Sequence, residues 1–251
     1  MSTGALTRLP HWKAYIAEAK YECIRVLRAP GFCVPTLGLP IAFYLFFGVL
    51  LAEADRSPAI DTLIFVGFAV MGVMGPGLFG FGVFVATERA QGLFTLKRAL
   101  PVPRFVYFSA KLVMAALFAT FVTIALMLTA TLAGKITVTP LQAALFVGVT
   151  IGGSVPFSAL GLMIGAWATG RSAPAIVNLM FLPMIYLSGI LIPLPASFEG
   201  IRHISPAYHL DRLALGTLSE GLDGGVLTHA MVLAAMTALF LGVSVWRFSR
   251  D

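Results

Sequence analysis

Charge is what this chain lacks most. Only 11% of its 251 residues are Asp, Glu, Lys or Arg, against about a quarter in a soluble domain. That scarcity excludes an extended solvated surface. Cysteine is nearly absent too. Cys23 and Cys33 are the only two, both near the start of the first apolar run. They read as small packing residues rather than as a disulfide. No His-Glu-x-x-His, no Gly-x-Ser-x-Gly and no Cys/His cluster at metal spacing occurs, so neither a catalytic nor a metal centre is expected. His203 and His209, with Asp211 two residues further on, read as a loop hydrogen-bonding network. The Gly-x4-Gly-Lys-Ser/Thr phosphate loop is also missing. If ATP drives this protein, another polypeptide must bind it together with its Mg.

What the chain has is apolar length. Hydrophobic residues make up 59% of it. They gather into six runs at about 32–52, 62–85, 109–133, 143–168, 175–194 and 226–246, in which only Lys111 and His229 can carry charge. A helix needs roughly 20 apolar residues to cross the hydrocarbon core. Backbone in lipid must satisfy its own hydrogen bonds, which favours helices over open strands. The expectation is an all-α membrane protein with six transmembrane helices, forming a single membrane domain over 1–251. No soluble catalytic domain fits between the runs.

The formal charge of +6 raises the question of a nucleic-acid partner, but its distribution points elsewhere. With the N-terminus placed in the cytoplasm, 13 of the 17 Lys and Arg fall inside; Arg56, Lys135, Arg202 and Arg212 fall outside. That positive-inside bias predicts both termini in the cytoplasm and basic contacts with lipid headgroups, with no nucleic acid. No cleavable signal peptide is apparent.

Residues 10–29 form an amphipathic pattern. Trp12, Ile16, Ala19, Cys23, Val26 and Leu27 recur at three- and four-residue steps; Lys13, Glu18, Lys20, Glu22, Arg25 and Arg28 take the other side. An interfacial helix is expected, followed by a turn at Ala29-Pro30-Gly31. The second run carries Gly75-Pro76-Gly77, and the fourth carries Pro156 and the pair Gly161 and Gly165. Small residues allow close helix approach, and the prolines predict kinks. A mobile kink is expected at Gly75-Pro76-Gly77. The 195–225 segment is too polar to span and too long for a tight turn. Its interleaved apolar and charged residues predict a re-entrant amphipathic hairpin on the outer side, which either closes an exit or caps the bundle.

Two stretches carry a family resemblance. The first is Ala86-Thr87-Glu88-Arg89-Ala90-Gln91-Gly92-Leu93, continuing through Lys97-Arg98-Ala99-Leu100-Pro101-Val102-Pro103-Arg104 to Lys111. The second is Pro183-Met184-Ile185-Tyr186-Leu187-Ser188-Gly189, then Pro193 and Pro195, then Ile204-Ser205-Pro206-Ala207-Tyr208-His209-Leu210. In order and spacing they resemble the ABC type-2 permeases, over nearly the whole chain. The first departs from the family where many members have a second acid near position 90 and a Thr after the glycine. The resemblance implies the membrane half of an ATP-driven exporter in the bacterial cytoplasmic (inner) membrane. Two copies, or a copy and a paralogue, would pair, each docked on a separate nucleotide-binding ATPase subunit. The 86–108 loop would be the coupling element, through Glu88, Arg89, Gly92, Phe94, Arg98 and Arg104.

Residues offering a pathway or gate are Phe43, Pro76, Phe81, Asn178, Tyr186 and Ser188. Their aromatic, weakly polar character suits a hydrophobic or amphipathic cargo, drug-like or lipid-like. Two other classes stay open. A secondary transporter is favoured by Gly/Pro interruptions in the second and fifth runs. It is disfavoured because no Asp, Glu, Lys or Arg buried in a run for ion coupling is expected. A non-transporting membrane scaffold is the other.

Overall fold

A computed structural model describes residues 11–53, 55–98, 104–189, 199–218 and 225–250. Every regular element among them is a helix. The elements are α1 (His11–Leu27), α2 (Pro30–Leu50), α3 (Pro58–Ala90), α4 (Leu93–Arg98), α5 (Arg104–Leu132), α6 (Pro140–Trp167), α7 (Ala173–Leu187), α8 (Glu199–Arg202), α9 (Pro206–Gly216) and α10 (Val226–Phe248).

Among the described residues, five helices are long and apolar enough to cross a membrane: α2, α3, Val106–Leu132 within α5, α6 and α10. The expected fifth run yields only the 15-residue α7. At 1.5 Å per residue that is about 22 Å, short of the roughly 30 Å hydrocarbon core. Gly189 follows at φ 77°. Residues 190–198, with Pro193 and Pro195 of the second motif, lie outside the described residues, so the described chain supplies five spans and one short apolar helix.

Helix starts follow local chemistry. Proline sits in the first turn of α3, α6 and α9, where its missing N–H costs nothing. Thr139 and Gln142 form a capping box on α6: the Thr139 backbone N–H donates to Gln142 Oε1 at 2.9 Å, and Thr139 Oγ1 accepts from the Gln142 N–H at 3.3 Å. In α2, α-helical turns alternate with π-helical turns at Val34–Gly38 and Tyr44–Leu50. Pro35 and Pro40 each lack a donor and crowd the carbonyl four residues back, and the wider turns relieve that crowding.

The long helix α3 is the axis of the bundle. Of its most apolar stretch, 83% is buried, against 22% for α2 and 11% for α10. It packs most extensively on α6 and then α5. A Cβ on Gly161 of α6 would lie 2.7 Å from the Gly77 carbonyl oxygen, and one on Gly165 would lie 2.7 Å from that of Phe81. The small-residue pair therefore lets two backbones touch. Gly75, Pro76 and Gly77 are all buried inside continuous α3. Their surroundings account for them by close packing, with Thr36 against Gly75 and Phe157 and Ser158 against Gly77.

At one end of the bundle gather the C-termini of α3, α6 and α10, together with α1, α4 and the start of α5. At the other lie Asp61, Lys135 and the N-terminus of α10, with α9 inserted between α3, α6, α7 and α10. Within the 195–225 segment, the described part is α8 and α9. The α9 helix buries Ala207, Tyr208, His209, Leu210, Asp211 and Ala214, and Leu210 fills the space beside Gly153.

Candidate functional site

The α1 end holds a network of buried charge. Lys111, two turns into α5, is fully buried, and Glu88, near the end of α3, is 4% exposed. Lys111 Nζ donates to Glu88 Oε1 at 3.0 Å and also to Glu22 of α1. Arg25 donates to Glu22 Oε1 at 2.7 Å and also to Glu88. The Tyr107 hydroxyl donates to the second oxygen of Glu88. Lys111 lies 4.9 Å from the centre of the Tyr107 ring, and the Arg25 guanidinium 4.8 Å from that of Phe84. Two carboxylates meet two cations, so the set is neutral overall. It binds three separate helices. Burial works against the Arg25 charge, but Glu88 and Glu22 more than offset it and hold its pKa above the ordinary value.

This overturns two readings. Glu22 does not lie on a solvated face of α1: it is 7% exposed and points into the bundle, while Trp12, Ile16 and Leu27 lie exposed. A buried lysine needs a counter-charge, and that need outweighs the apolar pattern of α1. Nor are the spans free of buried ionisable groups, since Lys111 and Glu88 belong to them and Asp61, at the start of α3, is 7% exposed. Asp61 lies 3.6 Å from Arg56 and 3.8 Å from Lys135.

The connection after α3 turns on the same network. The expected loop at 86–108 is shorter, because α3 continues to Ala90 and α5 begins at Arg104. Gly92, at φ 72°, reverses the chain into α4. A left-handed residue just past a helix end favours glycine. Arg89 reaches across to α6 and donates to the carbonyls of Gly165, at 3.2 Å, and Ala166. Phe94 packs its ring 5.3 Å from Tyr107 and 5.9 Å from Phe248. Glu88, Arg89 and Phe94 thus hold the connection to the bundle, and Leu96, 63% exposed, is the large apolar side chain that α4 turns outward. The Arg98 and Arg104 side chains lie outside the described residues.

A second feature is a groove of about 260 Å³ between α2, α3 and α7, lined among others by Phe32, Thr36, Met71, Phe79, Asn178 and Phe181. Asn178 donates its amide to the Pro174 carbonyl at 3.0 Å. The other pathway candidates lie elsewhere. Pro76 and Phe81 are buried in helix contacts, and Ser188 is buried and bonds Ile185 O. Phe43 and Tyr186 are each 38% exposed and do not line the groove. Sequence reading missed Thr36 and Phe181. The prolines at 30, 35 and 40, five apart, were the available signal for a widened α2 beside a cavity.

The family model of the ABC-2 type transporter matches residues 14–218, across α1, the spans to α7, and α9. The chain belongs to the ABC-2 type transporter family. It is also 28% identical over 238 residues to "Putative transport permease YvfS" of Bacillus subtilis (strain 168), an alignment covering 92% of this chain and 94% of that protein. The all-helical bundle with five candidate spans is thus the membrane subunit of a transporter, a multi-pass permease. Membership of a transporter family sets aside the non-transporting scaffold alternative.

Proposed function

We propose that this permease is the membrane half of an ATP-driven exporter. A separate nucleotide-binding ATPase carries ATP and Mg, and a second copy or close paralogue completes the pathway. The basic α1 end faces the cytoplasm of a bacterial cell, across its inner membrane. The observation that carries this reading is the α3–α4–α5 connection, with a sharp Gly92 turn and an exposed Leu96 on a short helix backed by buried charge. A docked partner that pushes α4 pushes the end of the central helix. Because Glu88 also bonds to α1 and α5, the push reaches three helices at once. The groove beside Asn178 is mostly apolar with few polar groups, which suits a hydrophobic or amphipathic cargo.

The test replaces the outward residue and leaves the buried ones alone. Leu96→Glu should leave membrane abundance unchanged, while ATPase co-purification and ATP-dependent export from reconstituted vesicles fall together. Wild-type export and co-purification by Leu96→Glu would overturn α4 as the docking element.

A further inference from the structure

At the α1 end, the last residue of α6 and a residue of the final turn of α10 place two indoles side by side. Trp167 and Trp246 stack with ring centroids 6.1 Å apart and planes 22° from parallel. Both are well exposed, at 55% and 47%. Arg247 lies 5.6 Å from the centre of Trp167, and Arg250 lies 4.0 Å from that of Trp246. Arg171, exposed in the turn after α6, adds a third cation at the same end. None of these residues belongs to the Glu22–Arg25–Glu88–Lys111 network or to the α4 turn.

We propose that the Trp167–Trp246 stack and its arginines form a binding site for the headgroup of an anionic phospholipid. Lying over the Trp246 indole, the Arg250 guanidinium uses its π face and leaves its in-plane N–H fork for a phosphate. Among the described residues, no carboxylate lies within ion-pairing distance of Arg250 or Arg171. Their charge is therefore not consumed by an acidic partner there. Indoles at a span's end match the depth of headgroup and glycerol, where one edge is wet and the rest apolar. Below the indoles, Leu241 and Val245 share an exposed face of α10, which gives acyl chains apolar contact. Headgroup above and chains below describe a lipid, not a free anion. The inference needs the chain to sit in a bilayer and does not depend on the direction of transport.

The sequence supplies its own probe, because it has three tryptophans. In a Trp12→Phe background, fluorescence reports on Trp167 and Trp246 alone. The full-length protein is placed in phosphatidylcholine vesicles holding equal mole fractions of brominated phosphatidylglycerol or brominated phosphatidylcholine. The anionic quencher should act at lower mole fraction, with an apparent preference of about fivefold for each arginine engaged. Arg250→Gln should reduce that preference, as should high salt on the unsubstituted arginines, with both indoles still quenched by bulk lipid. Equal quenching by the two lipids in low salt would overturn the proposal. Quenching by neither would show the stack covered by protein, and would overturn it equally.

Discussion

Lys111 is the residue on which most depends. It is fully buried, and its ammonium meets Glu88 and Glu22. Removing one partner from a buried ion pair costs about 3–5 kcal/mol, because the other charges stay enclosed. Lys111→Met should therefore lose most folded protein, measured as membrane abundance and thermal stability in detergent. Adding Glu22→Gln should recover part of that loss by removing the surplus carboxylate. Glu88→Arg is, for the same reason, a test of the network and not of docking. Asp211 gives a pH prediction. It lies in α9, outside the five spans, and burial, opposed by Arg212, pushes its carboxyl up from 3.8 to about 7. The folded state then keeps a proton that the unfolded chain releases. This contribution to stability is complete below about pH 4 and fades as pH rises through 7. His209 works the other way: burial lowers its pKa from 6.5, so its contribution is present above that value and lost on acidification. Asp211→Asn should flatten the decline between pH 4 and 7, read from melting temperature against pH.

Helix contacts decide the outcome at the next scale. Gly161 touches backbone of α3, which cannot move aside, whereas a Cβ at Gly153 would meet the end of the Leu210 side chain. Gly161→Ala should cost about 1–3 kcal/mol by overpacking, and Gly153→Ala distinctly less, compared by thermal unfolding of the purified proteins. The GxxxG pair was legible in the sequence, but its partner surface on α3 was not. The spacing names a face of one helix, and only packing supplies the other. Glu88 and Arg89 stand out in the sequence as a charged pair within the expected coupling loop. They turn inward because α3 runs past the expected end of its apolar run, so both still have neighbouring helices to meet. Phe94, expected in the same coupling element, packs on Tyr107 and Phe248 for the same reason.

Across the whole molecule, the sidedness of charge gives a direct test. In a background lacking Cys23 and Cys33, a cysteine at position 98 should react only from the cytoplasm, and one at position 55 only from outside. Labelling of position 98 in intact cells would reverse the topology. Extracted gently with the proposed ATPase, the complex should have the mass of two membrane subunits plus that of the ATPase, and a fully active single copy of the permease would refute the pairing. The sequence by itself determined the class: long apolar runs with almost no charge leave the chain no stable state but helices in lipid. It also determined the family, through motifs whose order survives without any contact being known. Only the tertiary structure decided where the few charges go. A charge on a helix end reads alike whether it faces water or another helix. Its burial depends on whether opposite charges from distant parts of the chain arrive at the same place, as Glu22, Arg25, Glu88 and Lys111 do.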